Sequence, residues 1–305
     1  MTIVPHDDPF TPADERPEPS SESPGTRPGI PRSRPVPERH LPPSSEAARL
    51  RVGVRPLPPA QWVSEPDGDW PRVLAMKADL LARRRDEVAA CDVAAARCEE
   101  ACEEAARGVA HSVGVDVAGA GLEALVAAAR IVADDLCVLV PDVDGPARLR
   151  AAVLCAPNRW RLAEKMGATL AGIHAPVARY SQDLSSPVDA VMARLSPDRP
   201  LWRTNWGIAN HPALFQPDTP PATPGMDPRD LWLRVEWQTL RRLPETGAVL
   251  FGIRTWVEKL SDFAQRDPWL IDNLADLVAK LPDDVAEYKS IAPHRDAIFA
   301  WLDAR

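Results

Sequence analysis

Two long runs toward the C-terminal end of this chain alternate apolar and polar residues with a period of two. In the first, Leu231 to Thr239, the residues Leu231, Leu233, Val235 and Trp237 fall on one side, and Trp232, Arg234, Glu236 and Gln238 on the other. The second, Ala248 to Val257, follows across Pro244-Glu245-Thr246-Gly247, a sequence rich in turn formers. Residues i and i+2 share a face only in a strand, so this pattern fits a helix nowhere and specifies an antiparallel hairpin. It also sets Arg234, Glu236 and Gln238 in one polar row. Such a row is either a solvated outer face or one wall of a site.

Other runs extend the sheet. Leu201 to Ile208 alternates Leu, Arg, Asn with Trp, Thr, Trp, so Arg203 and Asn205 would lengthen the polar row if the register allows. Upstream, the apolar runs Leu136 to Val140 and Leu149 to Cys155 flank PDVDGPA, which suits a hairpin. Helical periodicity covers Trp70 to about Gly108, with a break near Arg85, then Gly121 to Ala133, Arg159 to Leu170, Val188 to Leu195, Pro268 to Leu281 and Ala292 to Asp303. Two strands, helices, then three strands is the chain order of a PAS-like antiparallel five-stranded sheet. The expected class is α+β, with helices N- and C-terminal to that sheet.

Composition limits how much of the chain can join the core. Of the 34 prolines, 16 fall in residues 1 to 66, among Ser, Glu, Asp and Arg. Hydrophobicity that low does not repay the entropy of ordering, so residues 1–66 are expected to form a disordered proline-rich arm. Residues 67–305 are left as one folded domain of roughly 240 residues. A net charge of −8 and a pI near 5.4 argue against a nucleic-acid binder. No run reaches the ~18 apolar residues of a membrane span, and the N-terminus lacks a basic-then-apolar signal, so a cytoplasmic protein is expected. The five cysteines contain no CxxC pair. Cys91, Cys98 and Cys102 fall at helical spacings among alanines and read as small buried residues rather than redox or metal groups.

The segment Cys155 to Tyr180 carries the most chemistry. It is basic and amphipathic, with Arg159, Arg161 and Lys165 followed by His174 and, one residue further, Pro176. Fixed cations beside a neutral imidazole suit a metal-bearing cofactor with carboxylates. Spacing alone leaves both features open, His174 as a hydrogen-bonded loop residue and the cations as a solvated helix face. No P-loop, dinucleotide fingerprint, nucleophile elbow or HExxH competes.

Four ordered blocks carry a resemblance: DDLCVL (134–139), NRWRLAEKMGATLAGIHAPVARY (158–180), RPLWRTNWGI (199–208) and LRVEWQTLRRLPETGAVLFGIRTWV (233–257). The chain resembles the haem-dependent oxidative N-demethylase alpha-subunit family over about Trp70 to Tyr288. The resemblance implies a PAS-like fold that binds haem b and oxidises dimethylamine with O2 and external electrons to methylamine and formaldehyde. It further implies electron supply from flavin and iron–sulfur partner components, through a reductase or ferredoxin-like donor. His174, in the IHAPV element, takes the iron ligand role, and Arg159, Arg161 and Lys165 are candidates for the haem carboxylates. Arg234, Glu236 and Gln238 are the candidate catalytic row, with Glu236 also pairing an amine substrate and Asn205 and Trp206 lining its pocket.

The chain departs from the family pattern in two places. Trp237 stands where a basic residue is common, and Trp256 where a tyrosine is usual. Substrate choice is therefore open, and two alternatives stand beside the enzyme: a haem-binding PAS-like sensor without turnover, and a haem-free member acting through protein contacts.

Overall fold

The computed structural model describes residues 52–142, 145–177, 179–221, 223, 225–266 and 268–304. The chain divides into a unit of residues 1–30, outside the described residues, and a unit of residues 31–305. The second unit is built on one seven-stranded antiparallel sheet: β1 Arg55–Pro56, β2 Ala89–Cys91, β3 Asp135–Val140, β4 Arg148–Val153, β5 Leu201–Ala209, β6 Trp232–Arg242 and β7 Val249–Lys259. Spatial order is β1-β5-β6-β7-β3-β4-β2.

The alternating runs form the expected hairpin, β6 with β7. Its turn closes through Gly247 N–H to Leu243 O at 3.0 Å and Leu243 N–H to Ala248 O at 2.7 Å. Gly247 sits at φ +73, a conformation glycine adopts without a Cβ penalty. The five expected strands are the five contiguous central ones, β5-β6-β7-β3-β4. The count is corrected from five to seven by β1 and β2, which at two and three residues are too short to show a period.

Helices α1 Trp70–Arg83, α2 Arg85–Val88, α3 Cys98–Val113 and α4 Gly121–Ala129 precede β3 apart from β2, which interrupts the expected long helix after α2. Between β4 and β5 lie α5 Leu162–Lys165, α6 Leu170–Ile173 and α7 Ser185–Arg194. After β7 come α8 Leu260–Arg266, α9 Pro268–Lys280, α10 Asp283–Tyr288 and α11 Arg295–Asp303.

The continuous basic helix expected over Arg159 to Leu170 is not formed. Gly167 takes φ +75, and its N–H bonds Leu149 O at 2.8 Å while Leu149 N–H bonds Ala168 O at 3.0 Å. The backbone there is drawn into pairing with β4, so the segment breaks into α5 and α6. The expected arm also needs correction at its end. Residues 55–56 join the sheet, Trp62 is 3% exposed in the core, and the Ser64 hydroxyl donates to the Asp134 carboxylate. The rest of that arm, residues 1–51, lies outside the described residues.

The sheet separates two environments. On one face α3 and α4 pack on Leu136, Val138, Ala151 and Val153, and α8 to α11 pack on Leu233, Val235, Trp237 and Trp256. On the other face the β4–β5 connection brings Leu162, Leu170, Ile173 and Met192 over Cys137, Leu139, Leu154 and Ile253. Alternation makes both faces from the same strands.

Candidate functional site

A cavity of about 660 Å3 lies between that second face and the β4–β5 connection, lined also by β5 and the end of α10. Its volume falls in the range of cofactor and small-ligand pockets. Apolar lining comes from Leu139, Leu154, Leu170, Ile173, Phe251 and Ile253.

The polar wall is the row expected from β6, now with its register fixed. Arg203 of β5 stands opposite Gln238, Asn205 opposite Glu236, and Gly207 opposite Arg234. Arg203 Nη1 donates to Gln238 Oε1 at 3.2 Å, Asn205 Nδ2 to Glu236 Oε2 at 3.2 Å, and Gln238 Nε2 to the same oxygen at 3.0 Å. All three expected residues of the row are buried, so it is a wall and not a solvated face.

Arg234 is anchored more than it is available. Its Nη2 donates to Ala156 O at 2.7 Å and its Nη1 to Leu214 O at 3.2 Å, while Nε lies 3.5 Å from Glu236 Oε1 as an ion pair. These contacts tie the centre of β6 to two connections.

His174 caps α6 at the opposite side. Its Nδ1 is 2.8 Å from Leu170 O. A carbonyl has no proton to give, so Nδ1 carries the hydrogen and Nε2 keeps its lone pair. The Tyr180 ring stacks on the imidazole with centroids 4.8 Å apart, fixing its plane. Burial, and after it the field of Arg203 and Lys165, pushes the imidazolium pKa down, which favours the neutral form that binds metals.

Cations gather on the cavity's β5 side. Arg159, held at φ +62, donates through Nη1 to Ser290 Oγ and its Nε is buried without a hydrogen-bond partner. Arg203 Nε is likewise buried without one. Desolvation lowers the pKa of Arg159, Arg203 and Arg234 from the ordinary guanidinium value. Lys289, at the C-terminal end of α10, donates to Asn205 Oδ1 at 3.0 Å and Trp206 O at 2.5 Å. Desolvation, then Arg203, brings Lys289 down to about 8. With these four cations, Arg55 and Lys165 also line the cavity, and against them stand two carboxylates, the buried Glu236 and the exposed Glu287. The chemical consequence is a cavity with unmet demand for anionic oxygen.

The structure therefore brings His174, Arg159, Lys165, Asn205, Trp206, Arg234, Glu236 and Gln238 to one cavity. Arg161 is not among its lining residues: it is exposed and pairs with Asp218 at 2.7 Å. The Trp206 ring is occupied by its own protein, with Lys289 Nζ 5.4 Å from its centroid. Lys289 is the functional residue that sequence reasoning missed. A single lysine after a short acidic helix carries no local signal, because its partners are on a strand more than eighty residues earlier.

Among the described residues, no helix is long and apolar enough to cross a membrane. A family model described as haem-dependent oxidative N-demethylase, alpha subunit-like, matches residues 112–299, a span that includes β3 to β7, His174 and Lys289.

Proposed function

This chain belongs to the haem-dependent oxidative N-demethylase, alpha subunit-like family, and we propose that its cavity holds haem b through His174 and that the holoprotein demethylates a small alkylamine such as dimethylamine. The observation that carries this reading is a pair of unmet valences in one cavity. His174 offers an imidazole nitrogen with a free lone pair, and Arg159 and Arg203 offer buried guanidinium N–H groups without acceptors. Haem fits both, since its iron takes an imidazole and its two carboxylates take guanidinium forks. The apolar lining suits the ring. Arg159, Arg203 and Lys289, with Lys165, are the residues that would hold the carboxylates; Arg161 drops out of the set. The strand order of the five long strands supports the PAS-like description of the sheet.

When bound, haem supplies the O2-dependent oxidation of the N-methyl carbon, with electrons from an external donor of the flavin and iron–sulfur kind. The chain's own residues do the rest. The cations lining the cavity outnumber its carboxylates, so the cavity favours an amine in its neutral form over an alkylammonium. Glu236, held from two sides by Asn205 and Gln238, is placed to accept the amine N–H. Arg234 keeps that carboxylate oriented. When the carbinolamine product of oxidation collapses to formaldehyde and the shorter amine, the departing nitrogen needs a proton. Glu236, hydrogen-bonded to that nitrogen in this reading, is the group able to pass it the proton that the carbinolamine hydroxyl gives up.

The test is an optical spectrum of protein produced with haem supplementation, followed by formaldehyde measurement from a panel of secondary and tertiary amines with O2 and an artificial reductant. His174→Ala is expected to abolish stoichiometric haem binding or shift the Soret band. An unchanged spectrum at full occupancy would move the ligand elsewhere, and reducible haem with no product from any amine would favour the sensor.

A further inference from the structure

Three thiols converge at a place that the cavity does not include. Cys91 ends β2, in register with Ala151 of β4, while Cys98 opens α3 and Cys102 follows one turn later on the same helix face. All three are free thiols, and their Sγ atoms lie within 4.8 Å of one another, with Cys91 and Cys98 3.2 Å apart. Cys98 and Cys102 are buried and Cys91 is partly exposed.

The loop joining them is held in shape. Asp92 N–H bonds Arg150 O at 2.7 Å, and Cys98 N–H bonds Ala95 O at 3.2 Å. Arg97, at φ +62, donates to Glu245 O at 2.8 Å and Thr246 O at 3.2 Å. The sulfurs are thus brought together by backbone fixed from three directions, and not by a flexible tail. All three cysteines precede residue 112, where the family match begins.

We propose that Cys91, Cys98 and Cys102 form a three-thiolate site for a thiophilic d10 cation, Cu+ or Zn2+. With one pair of sulfurs 3.2 Å apart and none beyond 4.8 Å, a cation equidistant from all three would sit about 2.5 Å from each; metal–thiolate bonds of ~2.3 Å need the Cys91–Cys98 pair to open to about 4 Å and the wider separations to close toward it. Thiolate donors select soft cations, and three of them suit trigonal Cu+ directly or Zn2+ with one further oxygen from the exposed Cys91 side. Ligands of a [4Fe–4S] cluster attach to separate irons and stand farther apart than these sulfurs do, and a [2Fe–2S] cluster takes four protein ligands where three converge here, which favours a single ion. Binding releases the thiol protons to solvent, and the N-terminus of α3 offsets part of the remaining negative charge. The ion would clamp β2 to α3.

The experiment uses the full chain, haem-supplemented, reduced and then freed of reductant under anaerobic conditions. It is titrated separately with Cu+ and with Cd2+ as an optical stand-in for Zn2+. A thiolate-to-metal charge-transfer band saturating at one equivalent per chain is expected in one arm or both, which identifies the preferred ion. Cys91→Ser is expected to weaken binding at least about tenfold while the Soret band stays unchanged, and Cys102→Ala, a change to a small residue inside a helix, to do the same. His174→Ala keeps the charge-transfer band. No band in the wild type, or an undiminished band in both cysteine variants, overturns the proposal. So does a Cys91–Cys98 disulfide in the isolated protein that binds neither ion after reduction.

Discussion

In the proposed haem site, Lys289 would couple its protonation to cofactor capture. Below about 8 it is a cation able to pair with a carboxylate, and above that it loses its charge, because desolvation and Arg203 have lowered it from 10.5. A carboxylate brought beside it would raise its pKa again, so capture takes up a proton. The sign follows: the Lys289 contribution to haem affinity is full below about 8 and is lost as pH rises from there toward the ordinary lysine range. Haem titrations across that window are expected to show the decline in the wild type and a flatter, weaker profile in Lys289→Met. His174 and the β6 row were legible in the sequence because their signals are local, a histidine beside basic residues and an alternation with period two. Lys289 and the acceptor-seeking Nε of Arg203 were not. Their roles arise from contacts between α10, β5 and β6 that no short window contains.

At the scale of elements, β6 and β7 carry the sheet, and their closest approach is tight. Gly252 of β7 faces Thr239 of β6, and a Cβ at Gly252 would come 2.6 Å from Thr239 Oγ1. Gly252→Ala is therefore expected to cost about 1–3 kcal/mol, measured as a lower urea midpoint, with Thr239→Ala in the same chain restoring most of it. The long strands were readable because alternation over nine or more residues has no helical explanation. The basic segment misled for the opposite reason. Its side chains keep a helical pattern, but the backbone of residues 167–168 finds better partners on β4, and tertiary hydrogen bonds override local propensity. β2 was hidden in the same way, inside an alanine-rich stretch whose residues favour helix until β4 supplies an edge.

For the whole molecule, the folded unit begins earlier than proline content implies. Val52 to Arg55 line the cavity, Trp62 packs beneath α3, and Asp67 accepts from Arg254 Nη2 at 3.0 Å and from Trp256 Nε1 at 2.9 Å. A chain started at residue 67 is expected to melt well below one started at residue 52, since loss of a buried tryptophan alone costs about 3–5 kcal/mol. It is also expected to bind haem more weakly, and calorimetry with haem titration checks both. Composition could not reveal this, because prolines at the sheet edge cost nothing where no ladder bond is needed. The parity of β6 reaches further still. Its odd-numbered residues from Leu233 to Trp237 serve the helical side and its even-numbered ones from Arg234 to Gln238 serve the cavity. Inserting or deleting a single residue within this strand would turn Arg234 and Glu236 into the dry helical layer and leucine and tryptophan into the cavity at one stroke. Descendants of this chain can therefore change letters along β6 one face at a time, but can alter its length only at the turn, and so the frame of the strand should outlast the identity of nearly every residue in it.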